Sequence, residues 1–257
     1  MEKGQTNKGS MDQWTIDINC DLGEGLVKEE VLFPYISSCN IACGGHAGDW
    51  DSMSETVALA QSYKLAIGAH PSYPDREGFG RSVMEIGEGR LKESIREQLG
   101  SLDGVLKASG AQLHHIKAHG ALYNQTAKDS ETARTYLEAI MDHRDRAFLF
   151  VPYGSVVSEM AEAMGFGIRY EAFADRNYRA DLTLVPRGEK DAMIWEPANA
   201  LAHILPMIKE GRVSFHDGGI GTIVAQTLCV HSDGPTALEI LMYLSRELPK
   251  HRVKVQQ

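Results

Sequence analysis

The stretch Thr15–Glu24, TIDINCDLGE, decides how the chain folds. Its polar and apolar residues alternate, and a β-strand points alternate side chains to opposite faces. The polar face carries Asp17, Asn19 and Asp21, and the stretch ends at the acid Glu24. Two interpretations follow: a half-exposed strand with a solvated polar face, or a strand that delivers carboxylates to a site at its C-terminal end. The rest of the chain has to decide between them.

Further short apolar runs follow along the chain, and helical patterns separate most of them. Counting the first stretch, we predict seven strands, at residues 15–21, 39–43, 66–70, 113–118, 147–151, 168–173 and 223–230. Strand–helix alternation predicts a parallel sheet, and single α/β barrels commonly have about this length. The sequence therefore predicts an α/β fold in which parallel strands form a (β/α) barrel.

The connecting segments carry their own signals. Helices are predicted at about 53–63, 91–106, 130–141, 155–164, 197–210 and 235–248, the second of them ending at Gly110. Residues 183–187 and 192–195 are predicted to form a small hairpin or a loop excursion, and HDGGIGT at 216–222 a glycine-rich loop. We expect residues 1–14 to be a disordered leader and residues 15–257 to form a single domain, since no linker or composition break interrupts them.

Composition excludes several classes of protein. The 257 residues are 43% hydrophobic and 24% charged, which is typical of soluble globular proteins. The net charge of −9, with no Lys/Arg run, argues against nucleic-acid binding. No apolar run reaches the roughly 18 residues of a membrane span, and the N-terminus lacks a secretory h-region. We expect a cytoplasmic protein with no membrane partner, whose four cysteines are reduced thiols.

Unusual polar residues lie at or shortly after the C-terminal ends of successive predicted strands. They are Asp21 and Glu24, His46 and Asp49, His70 and Asp75, Lys117 and His119, Asp175 and Arg176, and His231 and Asp233. In a parallel barrel these strand ends lie on one face, where catalytic residues gather. The coincidence favours a site over a set of solvated loops, although each residue alone has an ordinary structural explanation.

Two kinds of chemistry fit these residue types. A divalent metal ion of undetermined identity is one candidate cofactor, because imidazole and carboxylate groups suit such ions, and its candidate ligands are Asp21, His46, His70 and His119. Acid–base catalysis by a histidine or a carboxylate is the alternative. Lys117 is a candidate electrophile for a developing oxyanion, and Arg81 and Arg176 are candidate clamps for a carboxylate. The chain has no GxxxxGK[ST] loop for ATP.

Several blocks of sequence resemble the LamB/YcsF family over about residues 15–248. The blocks are, in order, IDINCDLGEG, NIACGGHAGD, GAHPSYPDREGFGR, HIKAHGALYN, EAFADRNY, LVPRG and CVHSD. The resemblance implies a seven-stranded barrel of the glycoside hydrolase/deacetylase type. It also implies a hydrolase that opens 5-oxoproline (pyroglutamate) to L-glutamate, with ATP and together with two partners, 5-oxoprolinase subunits B and C. ATP fits this chemistry because a five-membered lactam is a stable amide, which phosphorylation of its carbonyl would activate.

On this interpretation, Asp21 or His119 is the general base and Lys117 steadies the oxyanion. The predicted substrate-binding residues are Asn19, Glu24, Asp49, Arg81, Asp175 and Arg176, of which Arg176 holds the substrate carboxylate. The oligomeric state is open, and a homo-oligomer is compatible with the sequence.

The sequence departs from the family pattern at Gly45, Ala118 and Ser232, which puts the pocket shape and the exact substrate in question. Two other functions therefore stay open. One is a metal-dependent, deacetylase-like amide hydrolase that needs no ATP. The other is a non-catalytic binding or regulatory subunit that retains the pocket.

Overall fold

Seven parallel strands close into a barrel in the computed structural model, which describes residues 13–26 and 28–256. All strands are numbered in chain order, and the three that lie outside the ring, the seventh, eighth and tenth, are described below. The barrel strands are β1 (Trp14–Leu22), β2 (Ser38–Ala42), β3 (Ala66–His70), β4 (His115–Lys117), β5 (Phe148–Pro152), β6 (Ile168–Phe173) and β9 (Thr227–Cys229). Each strand pairs with the next in this order, and β9 pairs with β1 to complete the ring. The predicted seven-stranded (β/α) barrel is confirmed.

Helices connect most of these strands. They are α1 (Trp50–Ser62), α2 (Glu88–Ser109), α3 (Gly120–Thr126), α4 (Ser130–Ala139), α5 (Val156–Ala163), α6 (Pro197–Glu210) and α7 (Ala237–Glu247). Gly110 ends α2 in the left-handed conformation, with φ of 68°, that a C-terminal glycine adopts without strain. The short helix α3 was not predicted, because HGALYN was interpreted only as the continuation of a strand.

The C-terminal part differs from the prediction in three elements. The predicted strand 223–230 is reduced to Thr227–Cys229. The glycine-rich segment before it belongs to an antiparallel hairpin formed by β7 (Arg212–Ser214) and β8 (Ile220–Thr222). A final strand, β10 (Val253–Val255), pairs with the first residues of β1.

The two ends of the described chain therefore lie side by side. Trp14 pairs with Val253, so the barrel begins one residue inside the predicted leader, whose first twelve residues lie outside the described part of the chain. In the 183–195 region, Leu184 forms a β-bridge with Tyr178, and Met193 forms one with Arg176. The region therefore pairs with the segment before it, as a loop excursion, and is not a hairpin of its own.

The alternation in β1 sorts its side chains between two environments. Ile16, Ile18, Cys20 and Leu22 are buried in the apolar layer that the barrel shares with its helices. The opposite face points into the barrel, where Asn19 reaches Thr227 on the neighbouring strand β9 and Glu171 on β6, one strand further round the ring. The polar face of β1 is thus turned inwards and not into water.

The four cysteines are buried and free, as predicted. Among the helices of the described residues, none has the length and apolar character that crossing a membrane requires.

Candidate active site

The C-terminal ends of the barrel strands surround a cavity of about 640 Å³. Of the residues to which the sequence assigned a role, seven line it, namely Asp21, Glu24, His70, Arg81, Lys117, His119 and Arg176. His231 and Asp233, predicted at the same strand ends, also line it, and Asp75 does not. Asn19, His46, Asp49 and Asp175 do not line it, and their positions are described below. The structure therefore gathers most, but not all, of the predicted set at the face that the strand directions indicate.

An ion-paired group forms the floor of the cavity. The Lys117 ammonium nitrogen lies 3.0 Å from Asp21 Oδ1 and 2.9 Å from Glu171 Oε1. Burial alone would raise the pKa of Asp21, but the neighbouring His70 and Lys117 hold it well below its usual range. Burial likewise opposes the charge of Lys117, and the surrounding carboxylates outweigh it and raise its pKa. Asp21 is therefore ionised and Lys117 protonated at neutral pH.

The hydrogen bonds of Lys117 limit what this side chain can do. Its nitrogen also lies 3.2 Å from Asn19 Oδ1 and 3.1 Å from Cys229 Sγ, so four acceptors surround three N–H groups. An incoming oxyanion would have to displace one of them. Lys117 is thus better placed to keep Asp21 ionised and oriented than to contact the substrate, in contrast to the oxyanion role predicted for it.

Asn19 lies beneath this floor, and its predicted contact with substrate has to be corrected. It is fully buried, and its amide donates to Glu171 at 2.9 Å and to Thr227 at 2.7 Å. Its carbonyl oxygen accepts from Asn40 and Lys117. Every polar atom of this side chain is therefore engaged in orienting its neighbours.

His70 and His119 stand above the floor, with ring nitrogens 3.0 Å apart. His46 stacks on His119, with ring centroids 3.6 Å apart, and its Nε2 lies 3.0 Å from Glu24 Oε1. Burial lowers the pKa of His46 to about 3 and that of His119 well below its usual value, so both rings are neutral at physiological pH. Burial, together with the Asp21 charge, raises the pKa of Glu24 to about 8.

Asp49 is not a site residue, and this prediction was wrong. Its carboxylate accepts from the backbone N–H of Ser52 at 2.9 Å, while the Ser52 hydroxyl accepts from the backbone N–H of Asp49. These two bonds form a capping box at the start of α1. The Ser52 backbone bond also lowers the pKa of Asp49, which keeps the cap charged. The helix therefore begins at Trp50, three residues before its predicted start.

Asp175 and Arg176, which follow β6, have different surroundings. Asp175 accepts from both the backbone N–H and the ring Nδ1 of His231, each at 3.0 Å, and so holds His231 at the cavity wall. Burial opposes the charge of Asp175, and His231 nevertheless lowers its pKa. Arg176 donates from Nη2 to Val185 O at 2.6 Å, whereas its buried Nε has no protein partner within the described residues.

Further arginines border the entrance of the cavity. Arg81 and Arg187 both contact Asp233, the latter at 2.9 Å. Arg179 also lines the cavity and pairs with Glu189. This rim is cationic, and its guanidinium groups match carboxylate or phosphate oxygens in geometry.

The sequence analysis missed Glu171 and Arg187. Glu171 is a single acid in a short apolar strand and is 2% exposed, and an isolated acid in such a strand is a detectable sign of an inward-facing partner. Arg187 lies in a loop excursion, and nothing in the local sequence indicates that the loop returns to the cavity.

The departure at Gly45 has a steric cause. A Cβ atom there would lie 2.3 Å from Ser72 Oγ and 2.4 Å from Gln98 Oε1, and these side chains are fixed because Gln98 Oε1 accepts from the Ser72 backbone N–H. The packing of this chain is therefore built around a glycine at this position.

We expect Gly45→Ala to lower the free energy of unfolding by about 1–3 kcal/mol, as overpacking of a tight interior does. Denaturant unfolding measures this. The control is Gly100→Ala in α2, where nothing lies within 4 Å of the added methyl group, so that stability stays equal or rises. Equal stability of both variants would contradict this account of Gly45.

One cluster has the donor atoms that a metal ion needs. Asp21, Glu24, His70 and His119 each offer an atom within 4.8 Å of all the others, and Asp21, Cys229 and His231 form a second such group. The tentative ligand set predicted from sequence therefore changes by one member. Glu24 takes the place of His46, whose Nε2 points at Glu24.

The fold and the site define a class, a (β/α) barrel with an acid–lysine–histidine centre at the C-terminal ends of its strands. The model of the LamB/YcsF family matches residues 16–257, and the chain belongs to this family.

Relatives of similar length support this assignment. The chain is 43% identical over 246 residues to the A subunit of 5-oxoprolinase from Methylococcus capsulatus, covering 94% of this chain and 95% of that protein. It is 41% identical to the protein of the same name from Pyrococcus abyssi, covering 93% and 96%.

Solved structures agree on the architecture. The lactam utilization protein from Thermus thermophilus superimposes with a TM-score of 0.88 at 36% identity, covering 94% of this chain and 99% of that one. A putative cellobiose-phosphate cleavage protein from Enterococcus faecalis has a TM-score of 0.59 at 11% identity, which shows a shared fold alone.

Proposed function

We propose that this chain is the lactam-binding subunit of a cytoplasmic, ATP-dependent 5-oxoprolinase, which opens 5-oxoproline to L-glutamate together with subunits B and C. The observation that carries the proposal is the ionised Asp21 on the floor of a cavity ringed by arginines. Support also comes from relatives more than 40% identical over nearly their whole length that are named as the A subunit of 5-oxoprolinase.

The cavity offers a complementary group for each end of the substrate. 5-Oxoproline has a carboxylate at one end and a lactam carbonyl at the other. The unpartnered Nε of Arg176 suits the carboxylate, since a buried guanidinium donor gains most from a charged acceptor. Asp21 then lies on the floor as the base that takes a proton from water while the water oxygen adds to the carbonyl carbon. The C–N bond breaks, and the ring nitrogen takes up a proton to become the amino group of glutamate.

The role given to ATP follows from the chemistry of the lactam. Transfer of the terminal phosphoryl group of ATP to the carbonyl oxygen would release ADP and make the ring carbon a better electrophile. Addition of water and cleavage of the C–N bond would then leave glutamyl phosphate, from which a second water releases inorganic phosphate and glutamate. The partner subunits are the proposed source of the nucleotide-binding machinery, since this chain carries no P-loop sequence.

Reconstitution tests the proposal. The purified chain, subunits B and C, ATP and 5-oxoproline are combined, and glutamate and ADP are measured, with each component omitted in turn. We expect glutamate only in the complete mixture. Undiminished glutamate formation without this chain would refute the proposal.

The His70–His119 cluster favours a second candidate, an amide hydrolase of this chain alone that uses a metal ion and not ATP. In the same assay, glutamate formation by the isolated chain without ATP, lost on chelation, would support this candidate. Binding of 5-oxoproline in calorimetry without turnover in any mixture would support a non-catalytic subunit.

The substrate-carboxylate role of Arg176 has its own test. We expect Arg176→Lys to raise KM for 5-oxoproline roughly tenfold or more with a smaller change in kcat, because lysine cannot reproduce the planar donor pair. Arg179→Lys is the control, since Arg179 also lines the cavity but is half-buried and paired with Glu189. Equal KM values for the two variants would exclude Arg176 from this role.

A further inference from the structure

Two histidine rings at the cavity are oriented by backbone carbonyls. His70 Nδ1 lies 2.8 Å from Lys117 O, and His119 Nε2 lies 2.9 Å from Phe79 O. A carbonyl oxygen only accepts hydrogen bonds, so the ring nitrogen that faces it carries the proton. The other nitrogen of each ring is therefore the one left for a ligand. These two nitrogens, His70 Nε2 and His119 Nδ1, are 3.0 Å apart.

These two nitrogens converge on one point with two carboxyl groups, so that an acid accompanies each nitrogen. Asp21 Oδ1 lies 3.3 Å from His70 Nε2, and Glu24 Oε1 lies 3.4 Å from His119 Nδ1. Ligands bound at 2.0–2.1 Å to a tetrahedral centre are spaced by about 3.3 Å, which matches these separations.

We propose that Asp21, Glu24, His70 and His119 bind one divalent transition-metal ion of the Zn²⁺ type. Two imidazoles and two carboxylates suit such ions, and the two acids balance the charge of the ion. The inference goes beyond the proposed function, because the site needs neither the lactam nor a partner subunit.

The groups around the four ligands support the site. The second ring nitrogen of each histidine donates a hydrogen bond to a backbone carbonyl. This is the usual way in which proteins fix the orientation of a metal-binding imidazole. Asn40 donates to Asp21 at 2.7 Å, and His46 Nε2 lies within hydrogen-bond distance of Glu24, at 3.0 Å. His46 thus orients a ligand and is not a ligand itself.

All four ligands line the cavity, so a bound ion would be within reach of a small substrate. When bound, it would supply a Lewis acid for a carbonyl oxygen or for water. With the ion bound, Asp21 would be its ligand and no longer a free base, Lys117 would still hold Asp21 in place, and Arg176 is not among the ligands.

Metal binding to the full-length chain tests the proposal directly. Chelator-treated protein is titrated with Co²⁺ alone, visible absorption is followed, and metal content is determined after desalting. We expect one ion per chain, with a spectrum of protein-bound Co²⁺ that added Zn²⁺ removes. We also expect Zn²⁺ to raise the melting temperature.

Variants then assign the ligands. We expect Glu24→Gln and His70→Ala to weaken Co²⁺ binding by at least about 100-fold, since even outer-sphere changes cost 10–100-fold. His143→Gln is the matched control. His143 Nε2 lies 3.1 Å from Asp103 Oδ2, and neither residue lines the cavity. Circular dichroism checks that each variant folds, and Glu24→Gln keeps the shape of the side chain.

The absence of bound Co²⁺ and Zn²⁺ on the folded wild-type chain would overturn the proposal, as would unchanged affinity in both folded ligand variants. These measurements contain no 5-oxoproline, ATP or partner subunit. Failure of glutamate formation in the reconstituted assay therefore leaves the metal result intact, and the two proposals fail separately.

Discussion

Asp21→Asn is expected to lower the rate of glutamate formation in the reconstituted system by roughly 100- to 10,000-fold, the usual contribution of a general base. The amide is nearly the same size as the carboxylate but does not take up a proton at neutral pH. Lys117 and Asn40 both donate to Asp21 Oδ1, so the wild-type carboxylate is held ionised and oriented towards the cavity. Steady-state kinetics of the variant in the full complex measures the effect.

The control for this prediction lies on the same strand. Asp17 has the same parity as Asp21, but it accepts from Ser37 and Ser38 at the other end of the barrel and does not line the cavity. Asp17→Asn should lower stability while leaving kcat of the folded protein close to wild type. If both variants lost activity to the same degree, the effect of Asp21→Asn would be structural and the base would lie elsewhere.

Lys117→Met is expected to lower the free energy of unfolding by about 3–5 kcal/mol, because it leaves buried carboxylates without their counter-charge. Asp21 and Glu171 both lie within 3.0 Å of the Lys117 nitrogen, and the lysine is 2% exposed. Denaturant unfolding of the isolated chain measures the loss.

Two further variants identify the cause. Adding Glu171→Gln to Lys117→Met should recover part of the stability, since it removes one of the uncompensated charges. Lys92→Met is the surface counterpart, because Lys92 also pairs with two acids but at a partly exposed position, and its loss should be much smaller. A similar loss in both lysine variants would indicate that burial of the ion pair is not the cause.

The architecture was largely predictable because it rests on local pattern. The two-residue period of Thr15–Glu24 placed Asp21 on the inward face, and Pro197 marked the first residue of α6. The hairpin of β7 and β8 was missed because glycines at its turn were interpreted as an unstructured loop. β10 has only three residues, and it exists because the first residues of β1 present an open edge to it.

The candidate site was predictable as a region but less so as a set of contacts. Asp21 lies at the end of one strand and Asp49 follows the next. Sequence alone does not show that the Asp49 carboxylate is hydrogen-bonded as a helix cap and is not available to a ligand. Likewise, Glu24 and His46 are both close to the two facing histidine nitrogens, and only distances show which of them completes the cluster. Glu171 was overlooked because its partner, Lys117, comes from another strand of the ring.

The closure of the barrel by β9 against β1 also bears on how the protein is made. Asn19 and Thr227, which hydrogen-bond across this seam, are 208 residues apart in the chain. During synthesis, the edge of β1 that pairs with β9 therefore stays unpaired until most of the chain has been made. Contacts between residues so far apart in the chain also form slowly. An unpaired strand edge of this kind can pair with another chain. Because the polar centre joins side chains from both sides of the seam, the nascent protein acquires it only in the last stage of folding.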